Sequence, residues 1–234
     1  MIIVYIIILL IGLIVLGCTF HAIFRFGYKK GGADLFSLFA KGAFEQKVNM
    51  FRTLINIAKP GGIVFVGDSI TQDYPVHELF HGKHVYNRGI GGDQTVGVKS
   101  RLYESVYGLK PRLVFLLIGT NDLVNENRLS NHDIAENILS IYKDILEHHI
   151  RCKVISILPV NPTMDSYTVS SRTNRDIDAI NAEVKNHLNQ DFVDISDAFK
   201  DKQGNLEKNY SIEGLHLTYQ GYKHLTAVLK PYME

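Results

Sequence analysis

The sequence predicts an α/β fold, a three-layer sandwich with a parallel sheet, plus one N-terminal transmembrane helix. Three observations predict it. From residue 63 onward, short and almost continuous apolar runs alternate with longer segments of helical periodicity, as in parallel sheets that helices cover on both faces. Of the 234 residues, 46% are hydrophobic and 21% are charged, a balance typical of a globular protein with a real core. The third observation is an uncharged apolar stretch at the beginning of the chain.

That stretch, residues 1–20, consists mainly of Ile, Leu and Val. At 1.5 Å per residue such a helix is roughly 30 Å long, the thickness of a bilayer core, so we predict a membrane anchor over residues 1–22. A signal peptide normally starts with basic residues and has a shorter apolar stretch; cleavage or lipidation at Cys18 is the alternative. Cys18 and Cys152 are the only cysteines, and we predict two inert buried thiols rather than a disulfide.

Residues 23–62 are predicted to form a linker and an amphipathic helix. The pair Gly31-Gly32 is typical of a short hinge. Apolar residues recur every three or four positions from about residue 34 to 58, which indicates a helix, and the Lys-Pro-Gly-Gly segment at 59–62 ends it. We expect the apolar face of this helix to pack on the domain that follows; contact with a membrane surface is the alternative.

Basic residues lie on one side of the predicted anchor only. Arg25, Lys29, Lys30 and Lys41 follow it within about 20 residues, the range over which such charges act, and no Lys or Arg precedes it. Because basic residues favour the cytoplasmic side of a membrane segment, the charge pattern slightly favours a cytoplasmic domain after the anchor.

The domain over residues 63–234 is predicted to contain five strands and four helices. Short runs rich in Val, Ile, Leu and Phe, bounded by residues typical of turns, indicate strands; they lie at 63–66, 84–87, 113–118, 154–158 and 192–194. Helical spacing of apolar residues indicates helices over 95–107, 133–148, 171–188 and 219–231. Four isoleucines share one face of the second helix: Ile134, Ile138, Ile141 and Ile145.

The segment Gly67-Asp68-Ser69-Ile70 follows the first predicted strand directly. A serine at this junction is held at the carboxyl end of the sheet, where open α/β folds bind ligands. A serine hydroxyl needs a base in order to act as a nucleophile, and Glu213-Gly214-Leu215-His216 offers one 147 positions later. Between them, residues 87–93 and 119–122 supply glycines and an asparagine, which are suitable donors for an oxyanion.

In these four blocks and their order the chain resembles the SGNH (GDSL-type) hydrolases, over roughly residues 63–232. The runs NRGIGGDQT and GLHLT are similar to the branch that contains the platelet-activating-factor acetylhydrolase catalytic subunits. The resemblance implies a flavodoxin-like sheet, with Ser69 as nucleophile and His216 as base. It also implies an oxyanion hole formed by the Ser69 and Gly92 N–H groups and the Asn121 side-chain amide. Three further polar residues are expected to brace these loops: Asp68, Asn87 and Asp122.

Glu213 departs from the family, which has Asp at the matching position. Because Glu213 lies three residues before His216, its carboxylate can reach Nδ1 and fix the tautomer and orientation of the ring. We expect Glu213 to have this role. In the alternative, Glu213 is a solvated loop acid and a backbone carbonyl orients His216.

The segment His77-Glu78-Leu79-Phe80-His81 matches H-E-x-x-H, the pattern of zinc peptidases with two ligands one helical turn apart. Pro75 precedes it and Gly82 follows it, which leaves barely two helical turns. A surface helix with two solvated histidines is therefore the better interpretation. The sequence contains neither a phosphate-binding G-x-x-x-x-G-K-[ST] loop nor a G-x-S-x-G elbow, which argues against those two classes of site.

The resemblance thus implies hydrolysis of a small acyl ester without a metal or organic cofactor. A lysophospholipid, a short-chain acyl ester and an O-acetylated sugar all fit, and membrane lipid is an expected second partner through the N-terminal helix. A net charge of +1 gives no reason to expect a nucleic-acid partner. The departure at Glu213 motivates an alternative of another class, a membrane-anchored non-catalytic binding protein on a hydrolase fold.

Overall fold

The computed structural model describes residues 38–124 and 128–234, together with the isolated positions 19, 21, 24, 25, 27 and 35. The chain divides into two compact units, Met1–Glu45 and Gln46–Glu234. The anchor predicted over residues 1–22 lies almost entirely outside the described residues. Within the part of the chain that is described, no helix is both long enough and apolar enough to span a bilayer.

The second unit is built on one sheet of five parallel strands: β1 Ile63–Gly67, β2 Val85–Gly89, β3 Leu113–Leu117, β4 Arg151–Ile155 and β5 Phe192–Val193. Their order across the sheet is β2-β1-β3-β4-β5, which is the flavodoxin-like order. The predicted α/β fold with a parallel sheet is confirmed. Because β2 and β3 lie on opposite sides of β1, the connections after β1 and after β2 lead in opposite directions across the sheet. The carboxyl ends of β1 and β3 therefore form the crevice in which such folds bind ligands.

Helix α1, described over residues 38–55, precedes β1. The helices that follow β1 are α2 Ser69–Gln72, α3 Val76–Leu79, α4 Thr95–Ser100, α5 Leu102–Ser105, α6 Asn131–Glu147, α7 Ser166–Val169, α8 Asn174–Leu188, α9 Ser196–Phe199 and α10 Tyr219–Leu229. The helix predicted over 171–188 begins at α8 only after Thr173, whose side chain accepts a hydrogen bond from the Asp176 N–H. Threonine at such an N-cap satisfies a donor of the first turn.

Two apolar cores lie on opposite faces of the sheet. Along β1, Val64 and Val66 enter one core, while Ile63 and Phe65 enter the other, because successive side chains of a strand point to opposite faces. Residues of α4, α6 and α8 complete the first core, and residues of α2, α9 and α10 complete the second. Burial on both faces explains why the central strands have continuous apolar sequences.

Two further predicted elements differ in extent from the structure. The fourth strand covers Arg151–Ile155 rather than residues 154–158, because the apolar side chains of Ile157 and Leu158 are buried in a loop beyond the strand end. The single helix predicted over 95–107 is divided into α4 and α5 at Arg101, whose φ is −116°. The Arg101 side chain is buried there, so this position does not follow the pattern of a surface helix.

Cys152 on β4 is buried and free. Burial raises the pKa of its thiol, and a protonated thiol is a poor nucleophile. The prediction of an inert buried cysteine is therefore confirmed for Cys152. The corresponding prediction for Cys18 lies outside the described residues.

Candidate active site

Ser69 lies directly beyond the carboxyl end of β1 and is the first residue of α2. Asp68 caps this short helix, since its Oδ1 accepts a hydrogen bond from the Ile70 N–H at 2.9 Å. The Ser69 N–H has no acceptor among the described residues, as is usual for the first turn of a helix. The junction of β1 and α2 thus presents a hydroxyl group and an unused N–H donor on the same residue.

The side chains of Ser69, His216 and Glu213 form a chain of hydrogen bonds. Ser69 Oγ lies 2.9 Å from His216 Nε2, and His216 Nδ1 lies 2.5 Å from Glu213 Oε1. When Nδ1 is protonated and donates to the carboxylate, Nε2 carries the lone pair that faces the Ser69 hydroxyl. The carboxylate of Glu213, and not a backbone carbonyl, lies at Nδ1. This is the geometry of a nucleophile, its base and an acid that orients the base.

The loop that carries Glu213 and His216 is held in a tight turn. Ser211 Oγ accepts a hydrogen bond from the Gly214 N–H at 2.7 Å and donates one to the His216 carbonyl at 3.1 Å. Gly214 has a φ of +99°, and a Cβ at this position would lie 2.3 Å from the Asn161 carbonyl oxygen. Only glycine fits both constraints. The turn allows two side chains three residues apart to face each other.

Gly92 and Asn121 lie on the loops after β2 and β3, the two strands that flank β1. Gly92 has a φ of +75°, and its N–H has no acceptor within the described part of the chain. Asn121 Nδ2 donates one hydrogen bond to the Asp93 carbonyl at 2.9 Å, which leaves its second hydrogen for another acceptor. Together with the Ser69 N–H, three donors thus lie beyond the ends of three neighbouring strands, the kind of group that can stabilise an oxyanion.

A comparison with known families gives the same assignment as this geometry. A sequence model of the GDSL-like Lipase/Acylhydrolase family matches residues 65–224, which is more than half of the chain. The protein belongs to this family. The predicted resemblance to the GDSL-type hydrolases is therefore confirmed, and the protein is a carboxylic-ester hydrolase of the GDSL type.

Individual proteins are similar to this chain over most of its length. Platelet-activating factor acetylhydrolase IB subunit alpha2 of Rattus norvegicus is 29% identical over 170 residues, 70% of this chain and 72% of the relative. A solved structure of a candidate platelet activating factor from Streptococcus pneumonia is 32% identical in sequence. Its TM-score is 0.81, and the match covers 87% of this chain and 98% of that one. A GDSL-like lipase from Bacteroides thetaiotaomicron shares the fold, with a TM-score of 0.70, 24% identity and coverage of 80% and 96%. Membership of this family favours an enzyme over a non-catalytic binding protein.

Asn87 and Asp122 hold the loops of this GDSL hydrolase together. Asn87 Nδ2 donates hydrogen bonds to the carbonyls of Thr71 at 2.6 Å and Tyr74 at 3.0 Å, which ties β2 to the segment that follows Ser69. The Asp122 carboxylate accepts the Thr95 N–H at 3.1 Å and the Thr95 hydroxyl at 2.6 Å. It therefore fixes the start of α4 to the loop that carries Asn121.

Arg101 is a buried part of the site that the sequence did not reveal. Its guanidinium pairs with Asp93 at 2.8 Å, and the two side chains are 1% and 2% exposed. It also donates to the carbonyls of Gly67 at 3.0 Å and Arg88 at 2.9 Å. One side chain thus connects the ends of β1 and β2 with the loop of Gly92. An arginine within a helical segment has the pattern of a surface residue, so the sequence carried no signal for this role.

Arg172, which follows α7, orients the side chain of Asn121. Its Nη2 donates to Asn121 Oδ1 at 2.7 Å, and its Nε donates to the Thr120 carbonyl at 3.0 Å. The guanidinium donates to one end of the Asn121 amide, so that end must be the oxygen. The other end is therefore the Nδ2 group, which faces Asp93. The sequence did not single out Arg172 either.

Three buried carboxyl groups lie beneath the site, on Asp68, Asp93 and Asp122. Burial raises the pKa of Asp68 from 3.8 to about 7, against the opposing effect of the hydrogen bond from Ile70. Burial also raises the pKa of Asp93 and of Asp122. Burial thus holds the pKa of the carboxyl group next to Ser69 well above that of an exposed aspartate.

The H-E-x-x-H segment lacks the helix that a zinc peptidase requires. Helix α3 ends at Leu79, so His77 and His81 do not share a helical face, and both histidines are exposed. Within the described residues, the side chains placed to share a metal ion are instead His132, Glu136 and Glu183. These lie on α6 and α8, and His132 Nδ1 is already 2.6 Å from Glu183.

Proposed function

We propose that this hydrolase cleaves small acyl esters through an acyl-serine intermediate on Ser69. The observation that carries the proposal is the 2.9 Å contact of Ser69 Oγ with His216 Nε2, with Glu213 at the other ring nitrogen. In the first step Ser69 Oγ attacks the ester carbonyl carbon while His216 Nε2 takes the hydroxyl proton. Glu213 keeps Nδ1 protonated and stabilises the imidazolium that forms.

The negative oxygen of the tetrahedral intermediate is stabilised by the N–H groups of Ser69 and Gly92 and by the Asn121 amide. When the intermediate collapses, the bond to the alcohol oxygen breaks and His216 returns its proton to the leaving alkoxide. A water molecule that His216 deprotonates then attacks the acyl-serine, and Ser69 regains its proton as the carboxylic acid leaves. The named residues supply every proton transfer without a metal or organic cofactor.

We propose a short acyl group, foremost acetyl, as the part transferred to Ser69. Support comes from relatives that are named acetylhydrolases. Lysophospholipids, other short-chain acyl esters and O-acetylated sugars are the proposed substrate classes. We also propose that residues 1–22 anchor the enzyme in a membrane, which would bring lipid or envelope-glycan esters close to it.

Hydrolysis of p-nitrophenyl acetate by the purified full-length chain tests the assignment of the nucleophile. The Ser69→Ala variant should fall to the background rate while its circular dichroism spectrum and melting temperature stay those of the wild type. The matched control is Ser100→Ala, which removes an exposed hydroxyl from α4 and should leave the rate unchanged. Turnover by Ser69→Ala at the wild-type rate would overturn the proposal.

A further inference from the structure

A cavity of about 350 Å³ lies beside the nucleophile segment. Residues 47–54 of α1 form one wall, the segment from Gln72 to His77 forms a second, and the end of β2 forms the third. Ser69 and His216 do not line it. The cavity is therefore a neighbour of the catalytic residues rather than the space around them.

Arg88 lines this cavity as a buried cation without an acidic partner. Only 5% of the residue is exposed, and its Nη1 donates to the carbonyl of the adjacent Asn87 at 2.9 Å. Its Nε is buried without any hydrogen-bond partner, and no carboxylate among the described residues forms an ion pair with it. Arg101, by contrast, is paired with Asp93. A buried charge without a partner is costly and is usually paired or coordinated.

Two aromatic rings stabilise the Arg88 guanidinium only in part. Its Cζ lies 4.8 Å from the centroid of the Phe51 ring and 5.3 Å from that of Tyr86. Ring faces attract the cation but do not replace in-plane acceptors for its N–H groups. Burial lowers the pKa of Arg88 to about 10, so the group stays positive at neutral pH. Half-buried Lys47 adds a second positive charge to the same cavity.

Gln72 connects the cavity to the catalytic residues. It is the last residue of α2, which begins at Ser69, and three residues of helix correspond to about 4.5 Å along the axis. Gln72 Oε1 accepts the Gly91 N–H at 3.0 Å, next to the oxyanion donor of Gly92. The short helix that begins at Ser69 therefore also supplies a residue to the wall of the cavity.

We propose that this cavity binds an oxyanion, a phosphate or a carboxylate, carried by the alcohol part of the ester substrate. The Arg88 guanidinium supplies in-plane donors of the kind that match such groups, and Lys47 supplies a second charge. The link to the substrate rests on the proposed function, whereas binding of the anion by Arg88 and Lys47 does not. The cavity would make the enzyme prefer esters of anionic alcohols over neutral ones.

Binding of inorganic phosphate, measured by calorimetry at low ionic strength, tests the cavity independently of catalysis. The wild type and Ser69→Ala should bind phosphate alike, and Arg88→Met should raise the Kd at least about tenfold, as expected for loss of hydrogen bonds to a charged group. Arg52→Met is the matched control. It removes an exposed positive charge from α1, the helix that carries Lys47, and Arg52 does not line the cavity. Should Arg88→Met fail to fold, Lys47→Met takes its place and should also weaken binding.

Three acetate esters with a common acyl group test the link to the substrate. They are the esters of 4-hydroxyphenyl phosphate, 4-hydroxybenzoate and 4-hydroxybenzamide, of which the last is neutral. The measured quantity is kcat/KM for the better of the two anionic esters divided by kcat/KM for the neutral ester. In Arg88→Met this ratio should fall at least about tenfold, mainly because KM for the anionic ester rises. In Arg52→Met it should stay constant. The phosphate and carboxylate arms show which anion is preferred.

The two proposals fail in different ways. Equal phosphate binding by the wild type, Arg88→Met and Lys47→Met, together with unchanged ester ratios, would overturn the anion site while Ser69-dependent hydrolysis still stood. Phosphate binding that depends on Arg88, without any Ser69-dependent hydrolysis, would leave the anion site standing and overturn the proposed function.

Discussion

At the scale of single residues, the contact between Glu213 and His216 concerns the position at which the resemblance to the family implies Asp. A single oxygen of Glu213 accepts both the backbone N–H of His216, at 3.0 Å, and Nδ1, at 2.5 Å. The additional methylene of Glu is thus taken up within the turn and does not move the carboxylate away from the ring. The side chains of Glu213 and His216 are only 21% and 31% exposed, so water screens this contact incompletely.

We predict that Glu213→Gln lowers kcat for p-nitrophenyl acetate by at least about 10², because an amide favours the wrong tautomer of His216 and does not stabilise the imidazolium; the analogous change in a Ser-His-Asp enzyme costs about 10⁴. Glu213→Asp should keep substantial activity, since it retains the charge. A Gln variant within about twofold of the wild type, roughly the error of such kinetics, would mean that Ser69 and His216 act as a dyad.

A second prediction concerns Asp68 and the pH dependence of stability. Because burial raises its pKa from 3.8 to about 7 in the folded protein, the folded state holds this proton more tightly than the unfolded state. Its contribution to stability is therefore fully present below about pH 4 and is lost as the pH rises through about 7. Asp68→Asn keeps an N-cap side chain but cannot titrate. Across this window the unfolding free energy of the wild type should fall relative to that of the variant, by at most about 1.4 kcal/mol per pH unit.

Urea denaturation at several pH values measures this difference. A difference between the wild type and Asp68→Asn that stays constant from pH 4 to pH 8 would mean that Asp68 is already ionised in the folded protein at low pH. If instead the unfolding free energy of the wild type rose relative to that of Asp68→Asn as the pH increased, the folded state would favour the ionised form of Asp68 despite its burial.

At the scale of elements, the site depends on the buried pair of Arg101 and Asp93 at the break between α4 and α5. Arg101 holds the carbonyls of Gly67 and Arg88 as well as the Asp93 carboxylate. One side chain thus joins the end of β1, which precedes Ser69, to the end of β2, which precedes the loop of Gly92. Their relative positions are set by this group rather than by contacts between the loops alone.

We predict that Arg101→Met lowers the free energy of unfolding by about 3–5 kcal/mol, as does removal of one partner from other buried pairs. It leaves Asp93 without a counter-charge and two carbonyls without a donor. Chemical denaturation measures the loss, and Arg52→Met, which breaks the more exposed pair with Glu104, serves as the control with an expected change below about 1 kcal/mol. A loss from Arg101→Met as small as that of the control would show that water replaces the buried guanidinium.

The elements also show where sequence reasoning succeeds and where it fails. The apolar strands, α6 and the blocks that carry Ser69 and His216 follow from local patterns of residues. The position of β4 does not, because Ile157 and Leu158 are buried outside any strand. The roles of Arg101 and Arg172 do not follow either, since burial of a cation depends on partners in other segments of the chain: Asp93, Gly67 and Asn121. A local sequence pattern does not show which segments the fold brings together.

At the scale of the whole molecule, the strand order places the site at the carboxyl ends of β1 and β3. The proposed anchor adds a prediction about the side of the membrane on which this site lies. We predict that the catalytic domain is cytoplasmic, because Arg25, Lys29, Lys30 and Lys41 follow the proposed anchor and basic residues favour that side. Protease added to intact cells that express the full chain should leave the domain uncut, whereas protease added after permeabilisation should degrade it. Degradation in intact cells would place the domain outside.

Labelling of the chain with a fluorophosphonate probe, followed by mass spectrometry, shows whether His216 activates Ser69 as the nucleophile. We expect one adduct, on the peptide that contains Ser69, and none in Ser69→Ala. In His216→Ala the labelling rate should fall at least about 10²-fold, because the hydroxyl then lacks its base. An adduct on a different serine, or labelling of Ser69 at an unchanged rate in His216→Ala, would mean that these two residues do not act as nucleophile and base.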